Sequence, residues 1–283
     1  MGLISLIAWC DSTWNPWQGC TKVSAECARC YMFRDKARYG QDPARVVRSA
    51  PGTFNLPLAR FGPTATKGEP GTWKLAPGRR VFTCSWSDWF HQDADPWRPE
   101  AWDVIRQRPD LAFLVLTKRA DRIAAHLPPG WGDGWPNVHL GVTVGAQAST
   151  WRLEALADVP ARVRFLSAEP LVERVDFGPR LAELDGLIIG GESGPGARIT
   201  APSWARYARD QGRAAGLAVH FKQWGEWAPL DALGPAELAR IETWSAAELE
   251  DRRRVVDGLE VYRVGTDAAG RLLDGEILDE VAA

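Results

Sequence analysis

The sequence predicts an α/β chain built on a parallel, partial β/α barrel of about six to seven strands, with a C-terminal extension. Three observations predict it. Short β-branched or apolar runs recur at regular intervals, each is followed by a polar or glycine-containing segment, and stretches of helical character lie between them. Apolar runs that do not alternate with polar residues belong to strands covered on both faces, the usual condition of a parallel sheet.

The first strand is expected near residues 14–18. Residues 39–80 are rich in Gly, Pro and Arg without a clear period, and read as a long excursion before the second strand; loops of that length are commonly lids or binding loops. Further strands are expected at 81–84, 112–116, 138–142, 163–166, 187–189 and 217–221, with helices over 97–108, 120–126, 148–156 and 203–215. The barrel so defined occupies residues 1–227. Residues 228–283 form the extension, with one acidic amphipathic helix at 235–254 and a hairpin within 261–273. There is no internal repeat.

The 283 residues carry a formal net charge of −2, so nothing global marks a polyanion-binding protein, and a nucleic-acid contact would need a local patch. Two basic runs qualify: Arg34, Lys36 and Arg38 with Arg45 and Arg48, and separately Arg206, Arg209 and Arg213. Such runs are also the ordinary solvated faces of helices. The apolar stretch at residues 3–9 is far shorter than the ~20 residues of a bilayer span and lacks a signal peptide's basic start, so no membrane association and a cytoplasmic location are expected. Fifteen tryptophans suggest core or interface material before stacking on a ligand.

Five cysteines, three of them within eleven residues, do not suit a disulfide framework in a chain of this size, and point to a metal or redox role. Residues 13–31 read TWNPWQGCTKVSAECARCY, which spaces Cys20, Cys27 and Cys30 as Cys-x6-Cys-x2-Cys. Thiolates this close on one loop can converge on a single soft metal centre. Three protein ligands suit a [4Fe-4S] cluster that keeps one iron open for a small molecule. A zinc site completed by Cys10 or a histidine is the alternative, and buried unligated cysteines are a third reading.

That segment and others, in order along nearly the whole chain, resemble a phage-encoded family similar to radical S-adenosylmethionine enzymes related to spore photoproduct lyase. The matching stretches are CSWSDWFH at 84–91, LVLTKR at 114–119, NVHLGVTV at 137–144, RFLSAEPL at 164–171, IIGGESGPGAR at 188–198, FKQWGEW at 221–227 and AAGRLLDG at 268–275. The resemblance implies a cluster on Cys20, Cys27 and Cys30 whose open iron is chelated by the amine and carboxylate of S-adenosyl-L-methionine. It further implies electron transfer that breaks the sulfonium bond and releases a 5'-deoxyadenosyl radical. Two departures stand out. The superfamily's familiar spacing is Cys-x3-Cys-x2-Cys, shorter in its first gap, and Thr266-Asp267 occupies the place where basic residues would precede AAGRLLDG.

Barrel chemistry sits on the loops after the strands' carboxyl ends, and the resembling blocks fall there. After the second strand come Ser85, Ser87 and Asp88. Asp88 is the candidate contact of the methionyl amine, or else a cap of the next helix. Lys118 and Arg119 are candidates to clamp the methionyl carboxylate or a substrate phosphate, or simply begin a solvated helix. Thr143 is placed to reach ribose hydroxyls, and Ser167 completes the cofactor set. Glu169 is an acid expected to face the pocket. The turn Gly190-Gly191-Glu192-Ser193-Gly194 permits close backbone approach to a ligand, with Glu192 at the pocket mouth. His220, Lys222, Gln223 and Trp224 close the series, and Trp224 or Trp86 is available to stack on adenine or a pyrimidine, although core packing is the commoner use. Glu169, Glu192 and Lys222 are the candidate catalytic residues.

For the reaction, the resemblance implies rearrangement of an N-linked glycinyl-thymidine in phage DNA to its C-linked isomer, a step of DNA hypermodification. Abstraction of the glycine α-hydrogen would give a radical stabilised by the amine and the carboxylate, free to migrate to the thymine methylene. A base inside a duplex is out of reach, so the nucleotide would be flipped out or single-stranded. The implied partners are modified DNA, an electron-donor protein and other phage DNA-modification enzymes. Two alternatives stand beside this isomerase: a photoproduct-lyase-like repair enzyme, and a zinc-stabilised binding module that acts through a partner protein.

Overall fold

The computed structural model describes residues 3–64 and 66–282. The chain is α/β, and its main strands are parallel and follow chain order: β1 (Ser12–Trp14), β2 (Arg80–Thr83), β3 (Ala112–Thr117), β4 (Val138–Thr143), β5 (Val163–Ala168), β6 (Gly186–Gly190) and β7 (Ala218–Gln223). This is the topology of the partial β/α barrel that the sequence predicts. The residues group into two compact units, Met1–Val23 with Met32–Val142 and Glu154–Arg164, and Ser24–Tyr31 with Thr143–Leu153 and Phe165–Ala283.

In the first unit β1, β2, β3 and β4 pair in register, with Val81 beside both Ser12 and Phe113, and Val115 beside Leu140. Val81, Phe113, Val115, Leu140 and Val142 are fully buried, as non-alternating apolar strands require. A helix, Arg98–Arg106, starts with Pro99 in its first turn and buries Ala101, Trp102, Val104 and Ile105. About half of the tryptophans are core material, eight of the fifteen being buried. Trp14 and Trp17 each pack on Trp89, at 5.9 and 5.1 Å between centroids, Trp89 packs on Trp102 at 4.8 Å, and Trp102 on Trp131 at 5.8 Å.

Three expectations are corrected here. β1 stops at Trp14 instead of running to Gln18. Pro16 lacks the N–H that a ladder needs, and Trp17–Gln18 pair antiparallel with Val47–Arg48 of the long excursion. That excursion is itself structured, by a helix at Pro51–Phe54, a tight turn at Leu56–Leu58 and a bridge between Arg60 and Trp73. The helix expected at 120–126 is instead two 3-10 turns, Ala120–Arg122 and Ala124–His126, cut short by Pro128 and Pro129 just beyond.

In the second unit β5, β6 and β7 are parallel neighbours, with Phe165 beside Gly186 and Ile188 beside His220. The helix Pro202–Ala214 lies close because its inner residues are small: Ala205, Ala208 and Gly212. A methyl group on Gly212 would meet Leu187 Cδ2 at 2.8 Å. The extension differs from expectation in two ways. The acidic helix is split into Pro235–Glu242 and Ala246–Arg252, because Ser245 and Glu248 form a capping box that starts the second one. The hairpin is Arg253–Val256 with Leu259–Arg263, and it turns at Asp257-Gly258, both at positive φ (52° and 77°). Trp227–Pro229 adds a third strand to it.

The second basic run also has a structural role. Arg206 and Arg209 both pair with Asp274, Arg206 pairs with Asp231 as well, and Arg213 pairs with Glu276. These guanidinium groups hold the end of the chain down. Among the described residues no helix is long and apolar enough to cross a membrane.

Candidate functional site

In the first unit the loops after β1, β2 and β3 are held together by one buried carboxylate. Asp88 accepts hydrogen bonds from the Thr117 hydroxyl at 2.6 Å and from the backbone N–H groups of Lys118 and Phe90, each at 2.9 Å. Arg119 lies 3.2 Å from its Oδ2. Burial alone would raise the Asp88 pKa; the Arg119 charge, the Thr117 hydroxyl and the two amides outweigh it and hold the carboxyl below its usual range. Asp88 is therefore a saturated anchor and, as it stands, presents no free oxygen to a methionyl amine.

What Asp88 anchors is Arg119, which reaches the cysteine loop. Its Nη1 donates to Cys20 Sγ at 3.5 Å, and its Nη2 donates to the Thr21 carbonyl at 2.9 Å and hydroxyl at 2.8 Å. His91 Nε2 lies 3.1 Å from the same Thr21 hydroxyl, and burial followed by the Arg119 charge pushes the His91 pKa down. Ser85 and Ser87 also serve the loop. Asn15 donates to the Ser85 hydroxyl at 2.9 Å and accepts from the Trp86 N–H at 2.8 Å, while the Ser87 hydroxyl donates to the Gly19 carbonyl. The two serines and Asp88 thus shape the segment that carries Cys20. Lys118 keeps a half-buried side chain with no ion pair among the described residues.

In the second unit Glu26 and Arg152 form a pair whose side chains are 0% and 2% exposed, at 3.3 Å. Glu26 also accepts from the Gly145 N–H at 3.1 Å, and Arg152 donates to the Thr143 carbonyl at 2.9 Å. The residue before Cys27 is in this way tied to the end of β4. The Thr143 hydroxyl itself is buried and has no hydrogen-bond partner among the described residues. Ser167 is buried in β5, with its carbonyl accepting the Val144 N–H. Cys27 is buried and Cys30 half-buried, one turn apart, with the Cys30 N–H on the Cys27 carbonyl.

Glu169, just after β5, and Lys222, near the end of β7, form an ion pair whose side chains stay 17% and 20% exposed. Gly190 leaves room for it, since a methyl group there would stand 3.3 Å from Glu169 Cδ. Glu192 is different. Both its oxygens are taken by Arg198, through the backbone N–H at 2.8 Å, Nε at 3.0 Å and Nη2 at 2.6 Å. Burial pushes the Glu192 pKa up, but the Arg198 hydrogen bonds and charge, with Arg29 beyond them, bring it below the usual range. Glu192 is a fixed, paired carboxylate.

The glycine turn is corrected as well. The backbone that approaches Gly191 is the protein's own: a methyl group there would stand 1.9 Å from the Trp224 carbonyl oxygen. Trp224 is in the core, donating to the Leu272 carbonyl at 2.7 Å and packing edge-on against Phe221. His220 is likewise buried and bridges to Asp279.

None of the five cysteines is in a disulfide. Cys10 is buried with its thiol on the Ser5 hydroxyl at 3.3 Å, and burial pushes the Cys84 thiol pKa well up. Cys20, Cys27 and Cys30 remain as a donor set, and its chemistry fits an iron-sulfur cluster: three unoxidised thiols on one loop, two of them partly exposed, and an arginine N–H directed at one sulfur. Among the described residues no three His, Cys, Asp or Glu side chains already stand at metal-ligating distance, so convergence of the thiolates belongs to the proposal below.

Asn15, Glu26 and Arg198 lie inside the motif stretches, yet their roles become visible only in the structure. Arg152 lies outside every such stretch, on the helix Trp151–Ala157. A family model described as protein of unknown function (DUF5131) matches residues 4–282. No curated protein and no solved structure matches the chain.

Proposed function

We propose, for a chain that belongs to the DUF5131 family of proteins of unknown function, that it is a radical S-adenosylmethionine isomerase acting on modified thymidine in phage DNA. The observation that carries the reading is the set of three cysteines in eleven residues, none in a disulfide, with Arg119 donating to Cys20 Sγ. Cys20, Cys27 and Cys30 would hold a [4Fe-4S] cluster and leave one position open for S-adenosyl-L-methionine. When bound, the pair supplies one-electron cleavage of the sulfonium bond.

The chain's own residues supply positioning and charge. Arg119, fixed by Asp88, places an N–H on a ligand sulfur, and such hydrogen bonds tune a cluster's potential. Glu169 and Lys222 offer a carboxylate and an ammonium side by side, and a glycinyl substituent carries the complementary pair. Lys222 would bind its carboxylate and Glu169 its amine, which orients the α-carbon between them. The thymidine would be presented flipped out or single-stranded. An electron-donor protein and other DNA-modification enzymes would act with it, in the host cytoplasm.

The test is anaerobic purification with iron and sulfide analysis, an absorption spectrum, and an assay for 5'-deoxyadenosine from S-adenosylmethionine under strong reductant, beside Cys27→Ala. A brown protein that releases 5'-deoxyadenosine, with both properties lost in the variant, supports the reading; product analysis on glycinyl-modified against ultraviolet-damaged DNA then separates isomerase from repair. A colourless zinc protein that leaves S-adenosylmethionine intact would overturn it.

A further inference from the structure

The basic runs most evident in the sequence are largely engaged. Arg206, Arg209 and Arg213 are paired with the chain's own carboxylates, Arg48 pairs with Glu100 and covers the Phe54 ring, and Lys36 is 3% exposed. Two other guanidinium groups, both in the second unit, are not. Arg29 lies between Cys27 and Cys30 and is exposed; its charge reaches Glu192, whose oxygens are already held by Arg198, and it forms no close ion pair of its own among the described residues. Arg252, at the end of the helix Ala246–Arg252, rests over the Trp244 ring at 5.3 Å; its charge acts on Glu248 one turn earlier, but it forms no close ion pair among the described residues.

Both line one cleft of about 460 Å³, together with Arg263, Trp227, Glu226 and the turn from Gly194 to Ala197. Arg29 reaches the turn on one side of the cleft. Gly196 sits at φ 73°, a conformation that favours glycine, and the Arg29 guanidinium lies across this turn, its Nη1 3.0 Å from where a methyl group on Gly196 would stand. The one carboxylate facing the cleft is internally engaged: Glu226 Oε1 accepts the Gly194 N–H and the Thr266 hydroxyl, each at 2.8 Å. Arg263 pairs with Asp251 at the rim. The indole of Trp227 is covered, with Arg254 and Arg263 at 5.6 and 5.8 Å from its centroid, and its Nε1 donates to the Ala197 carbonyl. The cleft therefore presents cations without an open aromatic face.

We propose that this cleft binds the phosphodiester backbone of a nucleic-acid strand, through Arg29 and Arg252. Planar guanidinium forks match phosphate oxygens, and the absence of an open stacking surface makes the contact one with backbone and not with bases. Arg29 shares its turn with Cys27 and Cys30, so a strand gripped there runs past the cysteine loop. That the strand is DNA rests on the function proposed above; the backbone contact itself does not depend on radical chemistry.

The test is fluorescence anisotropy with a dye-labelled, unmodified single-stranded oligodeoxynucleotide of about 20 nucleotides, in a series of salt concentrations. Arg29→Gln and Arg252→Gln are each expected to weaken binding about tenfold and to lower the salt slope by about one, whereas Arg29→Lys and Arg252→Lys keep the salt slope but recover only part of the affinity, since the charge stays and the fork is lost. Arg213→Gln serves as the control and binds like the parent. Circular dichroism melts of each variant confirm the fold. The proposal is overturned if the glutamine variants bind like the parent, or if the parent fails to bind the strand at low salt. It is also overturned if inorganic phosphate displaces the strand beyond the effect of chloride at equal ionic strength, because the cleft would then take a discrete anion. Cys27→Ala is expected to bind normally while releasing no 5'-deoxyadenosine, so failure of either idea is distinguishable from failure of the other.

Discussion

The Arg119 guanidinium lies 3.2 Å from the Asp88 carboxylate, and each side chain is 6% exposed. A cation this deep is stable only with its partner, and the same arginine is the group that reaches Cys20 Sγ. The pair therefore links the folding of the loops after β2 and β3 to the geometry of the cysteine loop.

Asp88→Asn leaves Arg119 buried without its counter-charge, and should cost about 3 to 5 kcal/mol of stability. Urea denaturation checks this. The radical hypothesis adds a readout that a packing defect alone would not move: a changed reduction potential in whatever variant protein still holds iron.

The acid response follows from the same group. The folded-state pKa of Asp88 is depressed, so its stabilisation is fully present above the unfolded carboxyl pKa of about 3.9 and is lost as pH falls through the lower folded value. Melting temperature plotted against pH should fall below about pH 4, and the Asp88→Asn curve should be flatter in that range. Equal slopes for the two proteins would show that Asp88 does not carry the response.

Glu26 and Arg152 make a second buried pair. Arg152→Met alone should cost about 3 kcal/mol, and the double variant with Glu26→Gln should recover part of the loss, because no charge is then left unpaired. A double-mutant cycle measured by denaturation gives the coupling directly, and purely additive losses would contradict it.

Gly191 admits no side chain, since its neighbour is the backbone carbonyl of Trp224 and not a movable group. Gly191→Ala should destabilise by about 3 kcal/mol or more, whereas Ala at Gly52, which has open space around it, should change stability little. Parallel thermal melts compare the two.

Glu169 and Lys222 are partly exposed, so Glu169→Gln should lower stability by no more than about 1 kcal/mol. If the pair orients the glycinyl group, the same variant should lower turnover on modified DNA by about a hundredfold with the fold intact. Unchanged turnover would remove Glu169 from the site.

The class of fold was legible because burial on both faces of a parallel strand leaves an apolar run, and such a run survives in the sequence whatever its neighbours are. The cysteine spacing was legible for a similar reason, since residues close in sequence need no tertiary contact to be noticed. Turn chemistry was less so. Ser245 with Glu248 splits a helix that amphipathic periodicity alone extends to residue 254, and Asp257-Gly258 turns the chain earlier than the apolar pattern suggested.

The sequence by itself determined the parallel α/β frame, the order of its strands and the set of three cysteines, all of which are local patterns. Only the tertiary structure decided what the polar residues after each strand do. Asp88 and Glu192 are saturated by arginines, Ser87 is turned onto Gly19, and Arg206, Arg209 and Arg213 are paired with carboxylates, whereas Arg29 and Arg252 form no close ion pair among the described residues. The physical reason is that a charge becomes available or committed according to which opposite charge folding brings within about 4 Å of it, and those partners here lie from six to more than sixty residues away.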